Sequence, residues 1–290
     1  KDAAAEALFM AMEKDGRVFL IGEGADNING VGGHVLPAIR KFGPSRVIDT
    51  PLSENGLTGF AIGAALNGMR PVLLHQRNDF MLLAMDQMMN QAAVLRYASG
   101  GHHRIPLTIL SFVARRPGEG VQHSHSLQSV FAHFPGIKVG MPASAVDVKG
   151  MLLSAVFDDD PTIILEHRHN TLYDRKEFVS EKYYETPFTA NVVVFGQDIT
   201  IVTISIALLD AIAAQHELNT ENIYPEIIDL RWLRPLDINP IIRSVKKTRK
   251  LLVVDTGWRS CSISSEIIAL VAERAHGYLK CPPRRITLPD

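Results

Sequence analysis

RVIDTPLSENGLTGFAIGAALNGMRPVLLHQ, residues 46–76, reads as strand, helix and strand in a single run. RVIDT (46–50) and PVLLHQ (71–76) are short and rich in aliphatic and β-branched side chains, as buried strands are. The stretch between them, about 55–67, is built of small and apolar residues and reads as a helix. Glu54 stands at its head, and Gly56, Gly59 and Gly63 recur through it. A mid-helix glycine costs roughly 1 kcal/mol relative to alanine, so three of them need a reason. Their spacing puts them on one helical face, where another backbone or a flat ligand can approach closely. Tight helix–helix packing alone would explain the glycines, but it leaves the lone acid ahead of them unexplained.

The same alternation continues in both directions. RVFLIG (17–22), PLTILSF (106–112), IKVGMP (137–142) and PTIILEH (161–167) read as further strands, with helices near 34–41, 79–98, 126–133 and 144–157. This pattern predicts an α/β fold, a parallel sheet with helices on both faces. The polar, aperiodic segment at 168–188 reads as a linker. Strands at 198–204, 224–230 and 250–256 then alternate with helices near 206–218, 238–247 and 261–277, a smaller three-layer domain. The expected division is a first domain at 1–175, a linker at 176–189 and a second domain at 190–290.

Composition narrows the class. A chain of 290 residues is long for one domain, and 46% hydrophobic residues is ordinary for a packed core. With 30 basic and 31 acidic residues there is no field for nucleic acid. The two cysteines, Cys261 and Cys281, make neither a disulfide framework nor a metal pattern, which points to a reducing compartment, the cytoplasm or an organelle matrix. Apolar runs are strand-sized, so no membrane span and no signal peptide are expected. The chain begins at Lys1 and ends after RRITLPD, as a piece trimmed from a longer protein would.

ENGLTGFAIG, an acid followed by spaced glycines, resembles the pyrimidine-domain motif of thiamine diphosphate enzymes. Its surroundings go further. RVIDTPLSENGLTGFAIGAALNGMRPV, DQMMNQAAVLRYASGG, QHSHSLQSVFAHFPGIKV, IIDLRWLRPLD and LLVVDTGW resemble the β subunit of the E1 component of 2-oxoacid dehydrogenase complexes, over roughly 17–290. The resemblance implies a thiamine-pyrimidine-binding domain followed by a transketolase C-terminal-like domain. It implies oxidative decarboxylation of a 2-oxo acid with acyl transfer to a lipoyl group, in an α2β2 assembly with an α subunit and a lipoyl-bearing E2. A transketolase-like carboligase, passing a two-carbon unit to an aldehyde, ketone or sugar, is the alternative. A non-catalytic assembly subunit is a third reading, against which the joint presence of Glu54, Phe80 and His123 argues.

By the same resemblance, Glu54 is the acid that hydrogen-bonds N1′ of the aminopyrimidine. Its chemistry suits the task, because the cofactor's own imino group takes the C2 proton only in the imino tautomer, which a carboxyl at N1′ favours. Phe80 matches the aromatic residue that packs on that ring, though it would also serve as a core phenylalanine. Gln76, on the same turn, is a further cofactor-binding residue by this resemblance, followed by Arg77 where relatives often carry phenylalanine. His123 matches the active-site histidine, a proton donor or acceptor. His125 occupies a position often held by glutamine, and a structural role competes evenly with a functional one. The two histidines lack a third metal ligand. Arg115 and Arg116 would meet an acidic substrate or partner, or sit in a solvated loop. In some relatives a structural K⁺ is bound by backbone carbonyls, here those of Leu107, Ala155, Asp158 and Asp160. The diphosphate anchor, a Gly-Asp-Gly with a downstream asparagine that holds Mg²⁺, finds no match: KDGR (14–17) lacks the first glycine and Asn27 follows too soon. GEGADN (22–27) lacks the third glycine of a dinucleotide fingerprint. The partner subunit is therefore expected to supply the anchor and the Mg²⁺ site.

Overall fold

The computed structural model describes residues 2–26, 33–113, 120–168 and 179–290. It divides into two compact units, Lys1–Pro187 and Phe188–Asp290. The first runs α1 (Asp2–Lys14), β1 (Val18–Glu23), α2 (Leu36–Phe42), β2 (Val47–Thr50), α3 (Glu54–Leu66), β3 (Arg70–His75), α4 (Ala93–Ala98), β4 (Thr108–Val113), α5 (Gln128–His133), β5 (Lys138–Gly140), α6 (Ala145–Phe157) and β6 (Thr162–His167). Its strands lie in the order β5-β6-β4-β3-β1-β2 and all pair in parallel. Every residue of β1, β4 and β6 is buried, which is how a parallel sheet covered on both faces should read. Gly22 allows β1 and β3 to close up, since a Cβ there would lie 2.3 Å from the Leu74 carbonyl oxygen.

Two elements differ from the expected ones. Helix α1 was not anticipated; it packs on α6 and α2 through Ala4, Leu8, Ala11 and Met12. Its alanine-rich run buries small side chains, which leaves a weak amphipathic signal. The single helix expected at 79–98 is three contiguous pieces: a 3₁₀ segment (Phe80–Ala84), a π-helical segment (Asp86–Ala92) and α4. Their side-chain periods are close enough that the pattern does not separate them.

The second unit runs β7 (Asn191–Val194), β8 (Ile199–Thr203), α7 (Ala207–Thr220), β9 (Pro225–Asp229), β10 (Trp232–Arg234), α8 (Asn239–Thr248), β11 (Leu251–Trp258), α9 (Ile263–Ala275) and β12 (Arg284–Leu288). Its sheet has the order β12-β11-β8-β9-β7, with β7 alone antiparallel. The reading of three strands missed β7, β10 and β12. β7 and β12 are edges with half-exposed residues, so neither carries the apolar run of a central strand, and β10 is only three residues long. Among the described residues, no helix is long and apolar enough to cross a membrane.

Candidate active site

Strand order reverses at β1. The chain leaves β1 for β2 on one side and returns to β3 on the other, so the loops after β1 and β3 diverge. In parallel sheets such a switch point opens a crevice at the carboxyl ends of the strands, where ligands bind. In this chain those ends carry buried polar side chains: Glu23 on β1, His75 on β3, Ser111 on β4, Glu166 and His167 on β6. Burying these groups is costly, and no core needs them there.

Two carboxyls meet at the crevice. Glu23 is the last residue of β1 and 5% exposed; Glu54 opens α3 just beyond β2 and is 8% exposed. Burial holds the Glu23 carboxyl above the usual range, the charge of Glu54 adds to this, and the Ser53 backbone N–H partly offsets it. Among the described residues, Glu23 Oε1 has no hydrogen-bond partner. The site thus holds an acid that resists ionisation beside a second one, with bonding capacity unspent.

The surroundings fix both acids. Gln76 Nε2 donates to the Glu23 backbone oxygen at 2.6 Å, tying the ends of β3 and β1 across the switch point. Thr58 Oγ1 donates to the Glu54 backbone oxygen at 2.7 Å and lies 3.3 Å from His75 Nε2. Since the hydroxyl proton goes to Glu54, the imidazole Nε2–H donates to Thr58, which assigns the tautomer. Burial pushes the His75 pKa down to about 4, so the ring is neutral, and among the described residues its Nδ1 finds no partner.

The structure brings Phe80 and His123 together, although 42 residues of chain separate them. Their rings meet edge to face, with centroids 5.4 Å apart at 87°. His123 ends a 3₁₀ turn, Val121–His123. That turn is fastened by residues the sequence reading did not single out. Asn78, fully buried, donates to the carbonyls of Phe112 and His125 and accepts from Leu127 N at 3.0 Å. Asp79 accepts from His125 N at 3.1 Å and pairs with His125 Nδ1 at 2.7 Å. His125 is therefore anchored to the Asp79 carboxylate. A polar Asn-Asp pair on a strand-to-helix turn was the available signal, and Glu23 had a similar one, an acid closing an apolar strand.

A second buried pair lies along the same edge. His34 Nε2 is 3.2 Å from Glu166 Oε2, and the His34 ring meets Phe112 edge to face at 5.1 Å. Burial would raise the Glu166 carboxyl, but the His34 charge and hydrogen bond together hold it below its ordinary value.

The carbonyls considered for K⁺ are engaged. Leu107 O accepts from Thr162 N (2.9 Å), Ala155 O from Asp158 N (3.3 Å), Asp158 O from Arg70 Nη1 (2.9 Å) and Asp160 O from Thr162 Oγ1 (3.3 Å). Arg96 and Lys138 pair with Asp160 beside them. Among the described residues, no group of three His, Cys, Asp or Glu side chains could hold a metal. Arg115, Arg116 and Asn27 lie outside the described residues.

This crevice in a two-unit α/β chain defines a protein of the transketolase class. Residues 1–172 match the transketolase pyrimidine-binding domain and residues 189–290 the transketolase C-terminal domain. A solved split-gene transketolase, an inactive β4 tetramer, shares the fold, with a TM-score of 0.80 over 100% of this chain and 88% of its own at 19% identity. The chain belongs to the family of β subunits of 2-oxoacid dehydrogenase E1 components. It is 38% identical to the pyruvate dehydrogenase E1 component subunit beta of Rickettsia bellii, over 97% of this chain and 86% of that protein. Identity is 40% with the acetoin:2,6-dichlorophenolindophenol oxidoreductase subunit beta of Cupriavidus necator (98% and 88% covered). It is 35% with the 2-oxoisovalerate dehydrogenase subunit beta of Bacillus subtilis (100% and 88%).

Proposed function

We propose that the chain is the β subunit of a thiamine diphosphate-dependent 2-oxoacid dehydrogenase, contributing the acid that activates the cofactor. The carrying observation is the buried pair Glu54 and Glu23 at the switch point, with unspent bonding capacity on Glu23. The residues fit an aminopyrimidine: a carboxyl for a ring nitrogen, and an aromatic pair, Phe80 and His123, to bound a flat heterocycle. When bound, thiamine diphosphate supplies the nucleophilic carbon that takes carbon dioxide off a 2-oxo acid. Glu54 holds and moves the proton at pyrimidine N1′. Glu23, whose carboxyl burial and the Glu54 charge hold above its usual range, resists adding a second negative charge to the crevice. His123 would hold or give a proton at the reacting end while the acyl unit leaves for a lipoyl arm.

An α subunit would complete the site with the diphosphate anchor and its Mg²⁺. The glycine face of α3 supports that assembly. A Cβ on Gly63 would meet nothing within 4 Å, and one on Gly59 would come no nearer than 3.9 Å to Gln87. Phe60, Leu83 and Tyr97 are 57%, 64% and 92% exposed, a large apolar surface for a chain that stands alone. A structural K⁺ would share the carbonyl oxygens of Leu107, Ala155, Asp158 and Asp160 with their present donors, since each oxygen has two lone pairs. The relatives' names favour dehydrogenation over the carboligase alternative.

The test is hydrogen–deuterium exchange at cofactor C2 in the enzyme assembled with its α subunit, wild type against Glu54→Gln. The variant keeps the shape but not the carboxyl proton, so exchange should slow by at least about 100-fold while the chain still folds and assembles. Exchange at the wild-type rate would remove Glu54 from its role.

A further inference from the structure

We propose a second binding site in this chain, at the amino-terminal edge of the first unit's sheet, that takes a small phosphate-bearing anion. Arg17 precedes β1, Arg70 opens β3 and Arg104 precedes β4. Because the strands are parallel, their beginnings share one edge, opposite the crevice. There the three arginines, with His102 and His103, line a cavity of about 270 Å³ that one carboxylate, Asp159, shares.

The charges do not close on themselves. Asp159 is divided between Arg70 Nη2 (2.9 Å) and Arg104 Nη1 (2.8 Å). Asp15 is taken by Arg17, whose Nε and Nη2 bind it at 3.0 and 2.7 Å. That pairing holds the Asp15 pKa down to about 2, so Asp15 stays ionised. Asp158 and Asp160 are held by Lys138 and Arg96. Three guanidinium groups thus face two carboxylates, both already bonded. Arg70 is only 12% exposed; its Nη1 donates to the Val156 and Asp158 carbonyls at 3.0 and 2.9 Å, and among the described residues its buried Nε has no hydrogen-bond partner, with Asp15 Oδ2 standing 4.0 Å off. Arg104 bonds Asp159 through Nη1 alone, and the exposed rings of His102 and His103 make no side-chain hydrogen bond.

The surplus is of donors and positive charge, so the ligand must be an anion rich in acceptors. The planar guanidinium fork fits phosphate oxygens two at a time. A phosphoryl group brings three acceptor oxygens to these donors, where a carboxylate brings two. The volume sits at the lower edge of small-molecule pockets, about 300–1,000 Å³, which leaves room for a phosphate and a short carbon skeleton but not for a nucleotide. The roof is apolar, from Ala65, Leu66 and Pro106, and suits such a skeleton.

The experiment is calorimetric titration of the full chain with inorganic phosphate and, separately, with glycerol 3-phosphate, against acetate as a monoanion control. Saturable one-site binding of a phosphate probe, weakened at least about 10-fold in Arg104→Ala/His103→Ala, is the expected result. Both side chains are exposed, so the variant should melt as the wild type does. Tighter binding of glycerol 3-phosphate would name a phosphate monoester as the ligand; equal binding would name phosphate itself. No saturable binding of either probe, or binding unchanged in the double variant, would overturn the site.

Discussion

Asn78→Ala isolates what holds the His123 turn in place. The Asn78 amide is fully buried and its two N–H donors serve Asp79 Oδ2 (3.0 Å), Phe112 O (3.3 Å) and His125 O (3.0 Å), while its oxygen accepts from Leu127 N (3.0 Å). Two donors and one acceptor make about three full hydrogen bonds, each contributing about 1 kcal/mol net. Phe112 O keeps the Asn78 backbone N–H at 3.0 Å, but His125 O and Leu127 N lose the partner the amide gave them. The expected cost is about 3 kcal/mol. For a unit the size of Lys1–Pro187, that is a drop of roughly 6–12 °C in its melting temperature. Thermal unfolding by circular dichroism measures the drop. Hydrogen exchange localises it: if opening governs exchange, the Leu127 amide should exchange roughly 100-fold faster, since each 1.4 kcal/mol is tenfold, while amides of β1 and β2 change less. Turnover of the assembled enzyme should fall with the turn loosened, whereas C2 exchange, which depends on Glu54, should persist. An unchanged melting temperature with unchanged protection at Leu127 would refute the claim that Asn78 anchors this turn.

His75 gives a pH prediction. Its native pKa is pushed down to about 4 by burial, from 6.5, so between those values the unfolded chain binds a proton that the native chain refuses. Stability should fall by roughly 3 kcal/mol as the pH drops through that window, and the slope should be absent in His75→Gln; urea unfolding at several pH values checks it. His123→Ala should slow acyl transfer far more than it weakens cofactor binding, as single-turnover rates set beside cofactor affinity would reveal; unchanged rates would take His123 out of the chemistry. Gly136→Ala should destabilise by about 3 kcal/mol, because φ is +90° and the new Cβ would lie 1.9 Å from Ala93 O; a melting curve like the wild type's would contradict the backbone geometry there.

The local pattern was sufficient for much of this. Alternating strands and helices are written in β-branched runs and amphipathic stretches, and Glu54 at the head of a glycine-bearing helix is visible because helix starts and glycine spacing are short-range features. Edge strands β7 and β12 were not legible, since half-exposed strands carry no continuous apolar run. The site was legible residue by residue but not as an arrangement. Nothing near Glu23 in the sequence says that β1 lies beside β2 and β3, yet that adjacency sets Glu23 against Glu54 and ties it to Gln76. Phe80 meets His123, and Asn78 and Asp79 clasp His125 and Leu127, because β3 and β4 pair in parallel and release their loops at one edge. The same register gathers Arg17, Arg70 and Arg104 at the other edge. Sequence alone determined which chemical groups the chain holds and on which kind of element. Tertiary structure decided which of them share a site, because parallel strand order brings together residues far apart in the chain and burial then sets their protonation and their unmet hydrogen bonds.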